Sequence, residues 1–473
     1  MKLSLAVSEI AARFGLRHVS GDAQLSGAQL ASSLCQPGDL FIATQGAKFH
    51  GVQFLDQAVQ AGAVAILTDP DHIPVTQLPI LVHDDPRSVA GAIAAALYDS
   101  AGMKLLGVTG TNGKTSTITY LHELLLALGE PNGMSASTLR VVGTSEYSSS
   151  LTTPEVTELH RMLSQMKDSG QGFGCIEVSA QAMVRNRVDS VEFAIVGFTN
   201  LSRDHLDDFG SMDDYLAAKA RLFTREFAKS GVILVEDEFA KRLTQLSEIP
   251  VVTIAEDGDY SYQYQDSELK ISGASSLIVS FSGGELMAKN LVLALVMLLQ
   301  SGFTAQQLET AVKKAHLQVP GRLERVSAKS PAVYVDYAHT PAGVAAAVSQ
   351  LRSQFPSLTV ILGASGNRDQ GKRPAMAEAA ASADHLIITD QHPRYEDPAL
   401  IRLALVNAAV GAMDPDTVFE VADPTKAMEK ALAVTAPDGA ILWCGPGHLN
   451  YREVAGVNVP FDARALAKEL VER

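Results

Sequence analysis

The sequence predicts an α/β protein of three domains, with a parallel sheet at the centre and a smaller doubly wound, Rossmann-like sheet at the C-terminal end. Three observations carry this reading. The chain has 473 residues, a length that suits about three domains. From about residue 102 onward, short apolar runs that end in polar residues alternate with stretches of helical spacing. Hydrophobic residues make up 47% of the chain and aromatics only 6%, so the cores are built from alanine, leucine and valine, as suits sheets covered on both faces. The divisions fall at 1–101, 102–319 and 320–473.

Taken in order, "MKLSLAVSEIAARFG" reads as an amphipathic helix, because its apolar stretch is short and broken by Ser and Glu, unlike a signal peptide. "PGDLFIATQG" and "GAVAILTD" are strands, and "VQFLDQAVQAG" between them is a helix stopped by glycine. "DDPRSVAGAIAAALYDSAGM" is a helix that leads into the central domain. There the strands are "KLLGVTG", "FGCIEVS", "FAIVGFTN" and "GVILVED", ending near Thr109, Glu177 with Ser179, Asn200 and Glu236. Ligands of parallel sheets sit at such C-terminal strand ends. The alternating stretch around 255–285 reads as antiparallel, "AKNLVLALVMLLQSG" as a helix and "QVPGRLERV" as a linker. Strand–helix alternation resumes with "AVYVDYAHT", "LTVILGASG", "DHLIITD" and "GAILWCGPG".

The formal charge is −15 with no basic run, which argues against nucleic acid as a partner. Cys35, Cys175 and Cys444 lie far apart, so neither a disulfide framework nor a zinc site is indicated and a reducing compartment is expected. No apolar run reaches the roughly 18–20 residues of a membrane span. The expectation is a cytoplasmic protein with no membrane partner.

The stretch "GVTGTNGKTS" lies between a strand and a helix, "STITYLHELLLALG". Backbone amides of a glycine loop at a helix N-terminus form an anion nest. Lys114 adds a charge for the β and γ phosphates, and Thr115 a hydroxyl for Mg²⁺. Glu177 ends a strand and reads either as a Mg²⁺ ligand or as a helix-capping or surface carboxylate. Asp204, His205 and Asp207 follow another strand end, where an imidazole is either a ligand or a packed loop histidine. Lys219 lies in a helical segment, and a helix lysine is by default solvated. Arg322 in the linker is either a surface arginine or a charge delivered when domains close. Arg368 and Arg394 end neighbouring strands and either fork a carboxylate or pair with Asp369, Glu396 or Asp397.

Together these stretches resemble the Mur ligases, which add amino acids to the peptidoglycan precursor using ATP, and among them the members that add the third residue. The resemblance runs in order through "PGDLFIA", "GVTGTNGKTS", "LTTPE", "EVSAQAM", "FTNLSRDHLDDFGSMDDYLAAKARLF", "PGRLER", "VDYAHTP", "GNRDQGKRP", "HPRYEDP" and "GPGHLNYREV". It implies ATP and Mg²⁺ as cofactors, a UDP-linked muramoyl dipeptide or related carboxylate and an amino acid as partners, and a monomer. It implies that Gly110, Thr111, Asn112, Gly113, Lys114, Thr115 and Ser116 hold the ATP phosphates, with Asn290, Arg322, Asp336 and His339 also on ATP. Thr115, Glu177, His205 and a carbamylated Lys219 are implied as metal ligands, and Lys114, Glu177, His205 and Lys219 as the catalytic set. Ser32, Thr152, Thr153, Ser179 and Arg187 are implied for the acid substrate. Arg368, His392, Arg394, Gly445 and Leu449 are implied for the amino acid.

The chain departs from the family pattern at several points. Asp-Ser-Arg before "PGD" is Ala31–Ser33, Asn-Thr-Thr carries Leu151, Ser-Ser-His carries Ala180 and Gln181, and Phe-Asn before Asn290 is Leu286–Met287. Where relatives that add meso-diaminopimelate have Asp-Asn-Pro-Arg, this chain has Gln391 and His392, and Leu449 stands at their Glu position. Two ligase readings follow: a peptidoglycan enzyme with an altered third residue, or a divergent paralog joining another acid and amine. A non-catalytic binding protein would be expected to have lost Lys114, Glu177, His205 or Lys219, and an ATP-hydrolysing switch would not need the paired arginines.

Overall fold

The computed structural model describes residues 4–46, 48–149 and 151–473. Met1–Leu3, the start of the first expected helix, lie outside the described residues; the helix itself spans Val7–Phe14 and ends on Gly15 in the left-handed region. The chain forms a mixed α/β structure with three large sheets in sequence order.

The first sheet has five strands in the order Arg17–Ser20, Ile80–Val82, Ala63–Thr68, Asp39–Ile42 and Gly27–Gln29. All neighbours are parallel except the first pair. The helix Leu55–Ala61 stops at Gly62, whose φ of 114° permits the tight return. The helix Pro86–Tyr98 starts where its sequence dictates. Asp85 accepts from the amides of Arg87 and Ser88, and Pro86 fills the first turn.

The second sheet has eleven strands. Its parallel heart runs Asn132–Ser135, Phe173–Glu177, Lys104–Thr109, Phe193–Phe198, Ala228–Leu234 and Val251–Ile254. Antiparallel Leu139–Val142 and Ser145–Ser148 extend it on one side; on the other Tyr260–Gln265 joins in parallel and is followed by antiparallel Glu268–Gly273 and Leu277–Ser280. The antiparallel stretch expected around 255–285 is therefore present. The helix Glu285–Gln300 is buried on nearly every side, with Leu291 to Leu298 fully enclosed, as its all-round apolar sequence requires.

The third sheet has six strands in the order Glu324–Arg325, Ala332–Asp336, Ala440–Cys444, Leu358–Leu362, His385–Ile388 and Val418–Glu420. All are parallel except the first pair. The linker stretch thus differs from a bare connection, because Glu324–Arg325 pair with the edge strand. A hairpin of Tyr451–Val454 and Val457–Pro460 closes over the end of this sheet. Among the described residues, no helix is long and apolar enough to cross a membrane.

The sheets are joined by polar contacts. Thr157 donates to Gln29 at 2.8 Å and Arg161 to Asp39 at 2.7 Å, which fastens the first sheet to the second. Gln350 bonds Gly283 O and Leu286 N at 3.0 and 2.9 Å, which fastens the third.

Candidate active site

The helix Lys114–Leu128 begins at Gly113, which offers no side-chain cap. Its first-turn amides are left for an anion. Gly113 has φ of 85°, and a Cβ there would overlap Asn290 Oδ1. Gly110 is likewise closed in, by Thr199. Thr111 and Asn112 bond Ser202 and Asn200 across the loop, and Asn112 reaches Thr340 of the third sheet at 3.4 Å. Ser116 is buried with Met287 Sδ at 4.0 Å.

Two lysines meet at this loop. Lys114 Nζ donates to Gly110 O and Thr111 O at 3.0 and 2.8 Å. Lys219 Nζ donates to the same Gly110 O at 2.7 Å and sits 4.3 Å from the ring centre of Tyr215. The default of a solvated helix lysine is therefore wrong: Lys219 is 1% exposed. Burial, and then the charge of Lys114, push its ammonium well below the usual lysine range.

Thr115 donates to Glu177 Oε2 at 2.9 Å, and Ser137 N–H donates to the same oxygen at 2.9 Å. Glu177 is thus a buried strand-end carboxylate, not a surface one. His205 adopts φ of 55°, and burial with the nearby cationic groups holds it neutral, at about 4, against the pull of Asp204. Asp204 is 4% exposed and faces His205 at 3.4 Å, His339 at 3.5 Å and Lys372 of the third sheet at 3.1 Å. Burial alone would raise its pKa, but these partners hold it well below the carboxylate range. Asp207, by contrast, is exposed.

Arg322 is not a surface arginine. Its guanidinium reaches Thr115 Oγ1 at 3.2 Å and stacks on Tyr337 at 4.4 Å. Asp336 uses both oxygens on backbone amides, those of Leu323 and Ala338, each at 2.6 Å. It therefore clasps the linker to the strand end. His339 Nδ1 bonds Tyr337 O at 2.8 Å, leaving Nε2 toward Asp204.

The residues expected for the acid substrate are largely engaged internally. Thr153 is fully buried, donating to Glu177 O and accepting from Ser179 N–H. Ser179 caps the helix Ala180–Val184. Arg187 is held by Glu155 at 2.8 Å, and Arg87 of the first sheet's helix shares that carboxylate at 3.0 Å. Thr152 meets Ser137 at 2.9 Å. Ser32 lies apart, on Gln57 at 2.6 Å.

At the edge of the third sheet, Arg368 is exposed and has no ion pair or hydrogen bond among the described residues. None of its proposed carboxylate partners pairs with it: Asp369 faces Arg203, Glu396 is gripped by Arg373, and Asp397 caps a helix. Arg394 pairs with Glu453, which is none of the expected three. His392 is buried and held neutral, at about 4, by burial and the charges of Arg394 and Arg452. Gly445, at φ of 110°, packs against Gln391, and Leu449 follows on the turn that begins at Pro446.

Sequence reasoning passed over Lys372, Ser137, Tyr337, His448 and Glu453. Lys372 lay inside a quoted motif, but only its distance to Asp204 marks it. His448 abuts Tyr337 with ring centres 5.4 Å apart, and its Nδ1 is buried without a partner among the described residues. Among the described residues one other His/Asp cluster, His50, Asp69 and His72, lies in the first sheet's region. There Asp69 meets His50 Nε2 at 2.7 Å and His72 Nδ1 at 2.8 Å, and the two imidazoles stack in parallel at 3.8 Å.

A glycine loop at a helix N-terminus, two lysines on one loop carbonyl, and an arginine and lysine delivered from a neighbouring sheet define a nucleotide-dependent ligase built from three α/β units. Comparison with known proteins gives the family. Residues 24–104 match the Mur ligase family catalytic domain, 108–295 the Mur ligase middle domain and 321–447 the Mur ligase glutamate ligase domain. The chain belongs to the Mur ligase family and is an ATP-dependent ligase that forms C–N bonds. It is 40% identical to the UDP-N-acetylmuramyl-tripeptide synthetase of Leifsonia xyli subsp. xyli, over 97% of this chain and 94% of the relative. It is 35% identical to the UDP-N-acetylmuramoyl-L-alanyl-D-glutamate–2,6-diaminopimelate ligase of Streptomyces coelicolor, over 99% and 96%. A solved structure of a ligase with the latter name superposes with TM-score 0.67 at 25% identity over 99% of both chains. MurF from Acinetobacter baumannii shares the fold with TM-score 0.73 at 17% identity, over 100% of this chain and 99% of the other.

Proposed function

We propose that the chain activates the free carboxylate of UDP-MurNAc-L-Ala-D-Glu as an acyl phosphate and joins an amino acid to it, making a muramoyl tripeptide. The names of its relatives at 40% and 35% identity support this substrate. The observation that carries the chemistry is the meeting of Lys114, Lys219, Glu177 and Arg322 on one phosphate loop. The γ-phosphoryl group passes to a carboxylate oxygen, leaving ADP. The amine nitrogen then attacks the carbonyl carbon, loses a proton, and the tetrahedral species expels inorganic phosphate. Lys114 and the loop amides hold the phosphates, and Arg322 and Lys372 bring positive charge to the oxygens that gain it.

Thr115 and Glu177, a hydroxyl and a carboxylate 2.9 Å apart, suit Mg²⁺, and His205 after the neighbouring strand offers a neutral imidazole. When bound, Mg²⁺ would neutralise phosphate charge as the phosphoryl group moves. Lys219, buried beside the loop, would as a free amine add to CO₂ with loss of a proton, and the resulting carbamate oxygen would hold a Mg²⁺ ion.

The domains are taken as 1–101 for the UDP-linked acid, 102–319 for ATP and 320–473 for the amino acid. Ser32, Thr152, Thr153, Ser179 and Arg187 line the acid path, and Arg187 exchanges Glu155 for substrate carboxylate or phosphate. Arg368, His392, Arg394, Gly445 and Leu449 face the amino acid. The protein works as a monomer in the cytoplasm. The reading is tested by ATP-dependent phosphate release with UDP-MurNAc-L-Ala-D-Glu and a panel of amino acids. Release that needs both partners supports it, and no turnover with any UDP-linked acid overturns it.

A further inference from the structure

Three segments lie side by side along the C-terminal edge of the third sheet. Gly366 N–H donates to His392 O at 2.8 Å, and Tyr395 N–H to Asn367 Oδ1 at 3.0 Å. The closing hairpin is stitched to the same edge. Arg394 N–H donates to Glu453 O at 3.1 Å, Ala455 N–H to Arg394 O at 2.7 Å and Glu453 N–H to His392 Nδ1 at 3.0 Å. These bonds fix the position of Glu453 beside Arg394, which itself is pinned at φ of 55°.

The side chains then meet. Glu453 Oε2 is 3.1 Å from Arg394 Nε, a charge contact without hydrogen-bond alignment. Glu453 Oε1 takes no partner among the described residues, and the side chain is 30% exposed. Nearby on the edge, Arg368 is exposed and unpaired among the described residues. His392 presents a neutral ring.

Two consequences follow from charge alone. A second carboxylate approaching Arg394 would meet a guanidinium already countered by Glu453, with two like charges on one cation. An ammonium on the incoming side chain would instead find a carboxylate oxygen free to receive it. Selectivity built from one attraction and one repulsion at the same residue is a general device.

We propose that Glu453 sets the amine specificity: it withholds Arg394 from a distal substrate carboxylate and receives a side-chain ammonium. The enzyme then prefers a monocarboxylic diamino acid, its α-carboxylate on Arg368, over a dicarboxylic one such as 2,6-diaminopimelate. This rests on the ligase reading above and names the amine class within it.

The test compares L-lysine, L-ornithine, L-2,4-diaminobutyrate and meso-diaminopimelate with the full-length enzyme, ATP, Mg²⁺ and UDP-MurNAc-L-Ala-D-Glu. At least one monocarboxylic diamine should exceed meso-diaminopimelate in kcat/KM by about tenfold or more. Glu453→Gln and Glu453→Ala should raise KM for that diamine by about tenfold and narrow the gap to meso-diaminopimelate, with KM for ATP unchanged. Wild-type preference for meso-diaminopimelate, or a ratio unmoved by both variants, overturns the proposal. If no amine is turned over, the ligase reading fails on its own. Calorimetric binding of the same amines to the ATP-loaded protein then decides the role of Glu453, by whether the two variants weaken diamine binding.

Discussion

Lys114 and Lys219 donate to one carbonyl oxygen, that of Gly110, at 3.0 and 2.7 Å. Two ammonium groups converging on a single acceptor inside the protein cannot both keep their charge at low cost. Burial, and then the charge of Lys114, push Lys219 well below the usual lysine range, and burial lowers Lys114 as well. A neutral amine is a nucleophile, and a carbamate formed on it would place an anion beside Lys114. Lys219→Ala should lower kcat by about a hundredfold or more while leaving ATP affinity within a few-fold. Formate or acetate should restore part of the rate, because the vacated space is closed to bulk water and lies beside a cation. Lys219→Arg should not be rescued. Equal rates for Lys219→Ala and wild type, or rescue by neutral formamide, would sink the idea.

Gly113 offers a sharper test of the phosphate loop. Its φ of 85° is a conformation that a side chain strains to adopt, and a Cβ would overlap Asn290 Oδ1. Left-handed backbone costs a non-glycine residue about 1–2 kcal/mol, so Gly113→Ala should weaken binding of a non-hydrolysable ATP analogue by about tenfold. Adding Asn290→Ala removes the overlap but not the backbone strain, so the double variant should recover only part of the loss. Full recovery in calorimetry would show that the overlap alone matters.

Much of the fold was legible because its parallel strands are long apolar runs. Lys104–Thr109, Phe193–Phe198 and Leu358–Leu362 each read directly from composition. The strands that escaped notice carry no such signal: Arg17–Ser20 and Ser145–Ser148 are exposed throughout, held by pairing with neighbours. The phosphate loop was readable because all its parts are local. Lys219 was not, since its burial depends on Gly110, 109 positions away. The resemblance to a family supplied its role where spacing could not. Arg394 shows the opposite limit. The sequence offered three carboxylates close by in the chain, and the pairing went to Glu453 through the closing hairpin.

Of the ion pairs that join residues 203–204 to the third sheet's domain, two should differ in consequence. Lys372–Asp204 is buried at 3.1 Å, whereas Arg203–Asp369 is longer, at 3.5 Å, with Arg203 53% exposed. Breaking a buried pair leaves an uncompensated charge and costs about 3–5 kcal/mol, while an exposed pair contributes about 0–1 kcal/mol. Lys372→Ala should therefore lower kcat by about a hundredfold or more and loosen the contact between the sheets, seen as faster amide exchange at residues 200–206. Arg203→Ala should stay within about twofold of wild type. Similar losses for both would mean that burial is not what distinguishes them.

His160 predicts how stability depends on pH. Ser100 donates to its Nδ1 at 2.7 Å and its Nε2 donates to Asp189 O at 2.9 Å, so the neutral ring is fully used. Burial lowers its pKa from 6.5 to about 4. The unfolded chain therefore takes up a proton near 6.5 that the folded protein refuses until about 4. Stability is whole above the unfolded value and falls as pH drops between the two, by about 3 kcal/mol from this residue alone. His160→Gln keeps one donor and one acceptor but cannot titrate. The variant should thus lose less melting temperature than wild type between pH 7.5 and pH 5, as read by calorimetry. The slope will not vanish, because His122 and His392 are also buried and held neutral. Identical pH slopes for variant and wild type would place the acid sensitivity in those other histidines.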